Sequence, residues 1–500
     1  MGEAQDIAAG YATGGRALEL GAVLVDGAAD PTAAVRLPLA MVNRHGLVAG
    51  ATGTGKTKTL QLLAEQLSAA GVPVVLADVK GDLSGLAEPG TASERTARRA
   101  EQTGDDWRPE GFPVQFLSLG TGGKGVPIRA TITSFGPILL SKVLGLNPTQ
   151  ESTLGLIFAW ADQRGLALLD LKDLRAVITH LTSDEGKADL TGIGGVAPAT
   201  AGVILRALSN LEAQGGAEFF GEPELDVRDL TRQVDGRGVL NLLELDELQD
   251  KPALFSTFLM WLLAELFEEF PEEGDLDAPK LVFFFDEAHL LFDGASKAFL
   301  ERIEQTVKLI RSKGVGVFFC TQLPTDVPNA VLSQLGARVQ HALRAFTPDD
   351  QKALSRTVKT FPVTAAYDLE KALTSLGIGE AIVTVLSERG VPTPVAWTLL
   401  RAPRSKMGSI GADAIRAAAG ASELHGKYGE TIDRESAYER LAARVAPPAR
   451  DEAGPAPEAK PAPGFFQQAM ENPAVRSFVR SAASSLGREI TRGLFGTRRR

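Results

Sequence analysis

The run Gly50-Ala51-Thr52-Gly53-Thr54-Gly55-Lys56-Thr57 constrains this chain more than any other segment. It fits G-x-x-x-x-G-K-[ST], a spacing that works only between a strand and a helix. Both flanks agree. His45-Gly46-Leu47-Val48-Ala49 reads as a short buried strand, and Thr59 to Ala70 carries Leu60, Leu63, Ala64 and Leu67 at helical spacing. Such a loop turns backbone N–H groups onto phosphates, and the helix N-terminus adds its positive dipole end. Lys56 is suited to the β- and γ-phosphates and Thr57 to Mg²⁺. The expected nucleotide-binding set is Gly50, Thr52, Gly53, Thr54, Gly55, Lys56 and Thr57, with ATP and Mg²⁺ as the ligands. A plain glycine turn is the bland alternative, and the strand and helix around the run disfavour it.

Composition narrows the classes. The 500 residues suffice for two or three domains or one large domain with insertions, and the net charge of −10 does not advertise a nucleic-acid surface. Any contact with DNA is therefore expected to be local, in a pore or a tail. A single cysteine, Cys320, excludes an internal disulfide, and the five scattered histidines form no metal-ligand cluster. With no signal-like N-terminus, a cytoplasmic location is expected. Ala253 to Phe267 is the longest apolar stretch and reads as a buried helix, too short to span a bilayer.

A second strand supplies carboxylates. Lys280-Leu281-Val282-Phe283-Phe284-Phe285 runs unbroken into Asp286-Glu287, as strands covered on both faces of a parallel sheet do. Ligands bind beyond the carboxyl ends of such strands, so Asp286 is expected to hold Mg²⁺ and Glu287 to act as general base. Ala288-His289 completes D-E-A-H, which invites a tandem-lobe helicase reading. The remaining chain is too short for a second lobe and lacks the matching arginine motif. His289 is read as a contact near the acid, with plain packing equally open. A third strand, Gly314 to Cys320, ends in Thr321-Gln322 and is expected between the other two, with Gln322 sensing the γ-phosphate. Cys320 reads as a small buried apolar residue.

Taken together, Gly-Ala-Thr-Gly-Thr-Gly-Lys-Thr, Phe-Phe-Phe-Asp-Glu-Ala-His, Cys-Thr-Gln-Leu-Pro, Leu332-Ser333-Gln334 and Arg338 to Arg344 resemble the HerA–FtsK superfamily of DNA-pumping ATPases. Asp78-Val79-Lys80-Gly81-Asp82 and Gly377-Ile378-Gly379-Glu380-Ala381 are similar to a HerA-like bacterial branch within it. The resemblance covers about residues 20 to 402. It implies a RecA-like core assembled as a hexameric ring, with ATP between neighbours and DNA through the centre. It also implies arginines acting across the subunit boundary, for which Arg338 and Arg344 are the candidates and Arg311 a weaker third. Better-known HerA proteins begin with a small β-barrel that docks a nuclease. The short stretch before the core here makes a nuclease partner doubtful.

The expected fold is α/β: a RecA-like P-loop fold with a mostly parallel sheet. Residues 1–45 read as a short β lead-in, with strands at Glu19 to Val25 and Ala34 to Pro38. The core spans 46–82 and 236–402, interrupted by a mostly helical insertion at 83–235. Within that insertion Pro113 to Leu119 reads as a strand, and Pro148 and Ala199 begin helices. Gly238 to Leu243 is a further core strand; Ile378 to Leu386 and Pro394 to Leu400 form a closing hairpin. A helical extension at 403–445 leads to a Pro-, Ala- and Glu-rich linker at 446–464 and a basic amphipathic tail helix at 465–500. That tail suits a membrane surface, DNA phosphates or a partner groove. The leading functional expectation is a ring-forming DNA translocase, and the alternative is an ATPase acting on a protein or membrane assembly. A small-molecule kinase is disfavoured, because no compact arginine-rich lid is visible.

Overall fold

The computed structural model describes residues 2–190, 194–245, 251–293 and 297–445. The linker and tail expected at 446–464 and 465–500 lie outside the described residues. The strands are β1 (Ala17–Val25), β2 (Ala28–Pro38), β3 (Gly46–Ala49), β4 (Val74–Asp78), β5 (Val114–Leu119), β6 (Val126–Ile128) and β7 (Gln233–Val234). They continue with β8 (Arg237–Gly238), β9 (Leu240–Glu244), β10 (Leu281–Phe285), β11 (Val315–Thr321), β12 (Ala337–Gln340), β13 (Glu380–Thr384) and β14 (Ala396–Leu400). All but the β7–β8 hairpin join one sheet, in the order β2-β1-β14-β13-β12-β3-β11-β10-β4-β9-β5-β6.

The stretch from β12 to β6 is parallel throughout, and the stretch from β13 to β2 is antiparallel. This follows from the side chains. Val282 and Phe284 of β10 point into one core and Leu281, Phe283 and Phe285 into another on the opposite face. A strand with no polar face needs cover on both sides, and parallel pairing with helical crossovers supplies it. One face is covered by the helix Lys56–Ala69, through Leu60, Leu63, Ala64 and Leu67. The other is covered by the helices Pro252–Glu269 and Lys297–Ile310, through Phe258, Trp261, Ile303 and Val307. The Phe284 ring lies 5.2 Å from that of Phe318 on the neighbouring strand. Truncating Phe284 to alanine is expected to cost about 3–5 kcal/mol, because the close-packed interior refills the void only in part.

The helix after β3 crosses to β4, three places along the sheet, and leaves room for β11 and β10 between them. The α/β, RecA-like, mostly parallel fold read from the sequence is what the chain adopts. The expected division at residue 82 does not follow the sheet. β5 and β6 fall inside 83–235, yet they extend the parallel sheet beyond β9. The helices Ile132–Val143, Pro148–Gln163, Leu171–Thr182 and Pro198–Ala213 make up most of that stretch. β1 and β2 form a hairpin that joins the same sheet through β14, and a helix at Glu3–Ala9 precedes them. β13 and β14 pair antiparallel, and the helices Ala412–Gly420, Glu423–Tyr428 and Ala437–Val445 follow. Among the described residues no helix is long and apolar enough to cross a membrane.

Candidate nucleotide-hydrolysis site

The loop between β3 and the helix Lys56–Ala69 is shaped by backbone that side chains would oppose. Gly50, Gly53 and Gly55 have φ of 150°, 80° and 119°, all in the region that glycine tolerates best. At Gly50 space is also short: an added Cβ would sit 2.5 Å from the His341 Cβ. The loop is pinned to β12's exit, where the Ala51 N–H donates to the Ala342 carbonyl at 2.8 Å and the His341 N–H to Ala49 at 2.7 Å. Lys56 is buried, and its ammonium donates to the carbonyls of Gly50 at 2.7 Å and Ala51 at 3.3 Å. A buried charge needs such partners. Thr57 lies next to it on the first helical turn, half-buried.

Asp286 and Glu287 leave β10 two strands away, with β11 between. Register aligns the ends: Thr321 pairs with Ala49, Phe319 with Phe285, and the Gly50 N–H donates to the Thr321 carbonyl at 3.2 Å. Asp286 is buried, and burial raises its pKa, with the charge of Glu287 adding to the shift. The buried thiol of Cys320 feels the whole group. Burial pushes it well above its usual range, Asp286 and Glu287 push the same way, and Lys56 opposes them. Glu287 occupies a left-handed backbone position, φ 48°, uncommon for a residue with a side chain. Lys80 reaches its Oε1 at 2.8 Å, and His289 Nδ1 lies 3.5 Å from its Oε2. His289 is thus a neighbour of the acid.

The family described as "Helicase HerA-like C-terminal" matches residues 24–500. The chain belongs to that family. Its fold is similar to the bacterial conjugative coupling protein TrwBdeltaN70 in complex with sulphate, at 15% identity and a TM-score of 0.53, covering 82% of this chain and 96% of that one. The plasmid coupling protein TrwB in complex with ADP and Mg²⁺ gives 15% identity, a TM-score of 0.51 and coverage of 80% and 94%. No curated protein matches the sequence.

In this HerA-like chain the arginine candidates separate. Arg344 is exposed, and its Nη2 lies 3.4 Å from the Thr52 carbonyl of its own loop. Arg344 thus stands beside its own phosphate loop. Arg338 sits on β12 beside Leu47 of β3, toward the opposite end of the sheet, and donates to the Thr360 carbonyl at 2.9 Å. It lines a cavity of about 440 Å³ together with Arg44, Lys308 and Arg311. Gln322 follows β11, between the loop strand and the acid strand, with its side chain exposed.

Two groups escaped the sequence reading as site residues. His341 is fully buried under the loop, with Nδ1 3.0 Å from the Glu380 carbonyl and Nε2 2.8 Å from the Thr59 hydroxyl. The carbonyl requires Nδ1 to carry the proton, so Thr59 donates to Nε2. Asp78 is also fully buried at the end of β4. Its carboxylate accepts from the N–H groups of Lys80 (3.2 Å), Gly81 (2.7 Å), Asp82 (3.3 Å) and Leu83 (2.8 Å). Burial pushes it up to about 6, and these bonds resist the shift. Nothing in residue type signals His341. Asp78 and Lys80 stood in the D-V-K-G-D run, noted only as a family likeness.

Proposed function

We propose that this chain is an Mg²⁺-dependent ATP hydrolase that couples turnover to the movement of DNA through a ring of identical subunits. The supporting observation is the gathering of Lys56, Asp286 and Glu287 around Cys320, beyond the ends of adjacent parallel strands. The residues suit the ligands. The cradle at Gly50 excludes a Cβ and leaves backbone N–H groups to meet phosphate oxygens. A hydroxyl and one carboxylate, from Thr57 and Asp286, suit an ion that keeps much of its water and binds phosphate oxygens. No cluster of three or more His, Cys, Asp or Glu among the described residues offers an all-protein metal site instead.

ATP supplies the phosphoryl bond, and Mg²⁺ offsets the charge that develops when it breaks. The chain's own residues position and deprotonate. The backbone N–H groups of Thr52, Gly53, Thr54 and Gly55 hold phosphate, Gly50 shapes the turn with its own N–H held by the Thr321 carbonyl, and Lys56 exchanges its two carbonyl partners for phosphate oxygens. Glu287 takes the proton of the attacking water, and Gln322 orients that water and the γ-phosphate. Arg344 serves its own loop. Arg338, remote from that loop, serves a neighbour's site, a role worth roughly 10³–10⁵ in rate where arginine fingers have been measured. The single cysteine, buried and reduced, suits a cytoplasmic motor.

The test is ATP hydrolysis with and without duplex or single-stranded DNA, alongside particle mass with and without ATP. Stimulation by DNA and a ring-sized particle are expected. A rate indifferent to both DNA forms removes translocation and favours a protein or membrane assembly as substrate, which the net charge of −10 suits.

A further inference from the structure

Lys80 has no place in the chemistry above, yet it grips the general base. Its Nζ lies 2.8 Å from Glu287 Oε1. The grip is built into the fold. β4 pairs with β10 in parallel, Leu76 beside Phe284, so the loop after β4 emerges beside the end of the acid strand. Asp78 then fixes that loop by accepting four successive-turn N–H groups, one of them from Lys80 itself. On the other side Glu287 is held at its left-handed φ while the Ala288 N–H bonds the Cys320 carbonyl at 2.8 Å. Burial alone would weaken the ammonium as a cation, but the Glu287 hydrogen bond and the Asp286 charge outweigh it and raise its pKa. Lys80 therefore stays charged.

A general base must offer water a carboxylate oxygen with affinity for a proton. An ammonium in contact occupies one of the two oxygens and keeps water from it. We propose that Lys80 is a latch that holds Glu287 in a resting pose, and that phosphate oxygens reaching the site draw the ammonium away and free the base. Lys80 is the movable partner, since its side chain is 40% exposed against 12% for Glu287. The phosphate comes either from the nucleotide's terminal group or from a nucleic-acid backbone. This inference rests on the reading of Glu287 as base.

The experiment compares hydrolysis by the full chain with Lys80→Ala, Lys80→Met and Lys80→Arg, with and without duplex DNA, after ATP binding and thermal midpoint are checked for each. A base competent for about a tenth of the time gives about a tenfold rise in basal rate once released. That rise is expected for Lys80→Ala and Lys80→Met, with KM little changed, while Lys80→Arg stays near the unmodified rate. Loss of DNA stimulation in Lys80→Ala identifies nucleic acid as the phosphate source. Retained stimulation on the raised baseline identifies the nucleotide's own phosphate. Basal rates at or below the unmodified rate in Lys80→Ala and Lys80→Met, with ATP still bound, overturn the latch alone. Binding without hydrolysis in every protein overturns the base assignment, and the latch with it.

Discussion

Acid will loosen this fold through two buried histidines. His341 bridges Glu380 and Thr59 beneath the phosphate loop. His45, just before β3, places Nε2 2.8 Å from the Val307 carbonyl and accepts the Val317 N–H on Nδ1 at 3.1 Å. Burial pushes both imidazoles from 6.5 down to about 4, and the nearby Lys56 charge lowers His341 further. The hydrogen bonds of His341 do not forbid protonation, because the Thr59 hydroxyl can turn to accept and donate instead to the Gly55 carbonyl at 3.3 Å. The cost is that of a buried charge beside another cation. Between pH 4 and 6.5 the unfolded chain binds a proton at each position that the folded chain refuses. Stability is therefore complete above pH 6.5 and lost as the pH falls toward 4. At 1.4 kcal/mol per unit, each histidine removes about 1.4 kcal/mol by pH 5.5 and about 3 kcal/mol once both states are protonated. Urea midpoints measured from about pH 7.5 to 4.5 on the unmodified chain and on His341→Gln will show it. The variant is less stable at neutral pH but has the shallower slope. Equal slopes for the two proteins would refute the argument, whatever their absolute stabilities.

Three further outcomes follow from the same geometry. Gly50→Ala forces a Cβ toward His341 at 2.5 Å and closes the cradle, so nucleotide affinity measured by calorimetry is expected to fall by an order of magnitude or more. Asp78→Asn keeps an acceptor for three of the loop N–H groups but turns an amide donor toward that of Leu83, and denaturant unfolding should show a loss of about 1–3 kcal/mol. Arg338→Ala should lower kcat by about 10³ with nucleotide affinity unchanged, and a fall in affinity alone would argue against a role in trans.

Legibility followed the range of the interactions. β3, β10 and β11 were readable because each is a short apolar run ending in a chemically marked residue, and double-faced burial demands that pattern. The long helix at Pro252–Glu269 was readable for the same reason. The place of β5 and β6 was not. β5 joins the sheet through β9, more than a hundred residues away along the chain for Val114 and Leu240, β6 follows on β5, and no local pattern encodes the pairing with β9. Boundaries shifted by a residue or two, as at Lys280, which precedes the ladder of β10. The site divided in the same way. Lys56, Thr57, Asp286 and Glu287 announce themselves by type and spacing. His341 and Lys80 act through contacts made between distant strands, so their roles appear only when β4, β10 and β12 take their places, and Asp78 acts by folding the loop that carries Lys80. Arg344 was legible as an arginine near the site, but its contact with the Thr52 carbonyl was not.

The central claim concerns one pocket, and single-turnover hydrolysis of Mg–ATP tests it most directly in the unmodified chain, Glu287→Gln and Lys56→Ala. The account predicts that the unmodified chain cleaves ATP, that Glu287→Gln binds it with similar affinity but cleaves it at least about 10²-fold more slowly, and that Lys56→Ala binds it poorly. Cleavage by Glu287→Gln at the unmodified rate, or undiminished binding by Lys56→Ala, would contradict it.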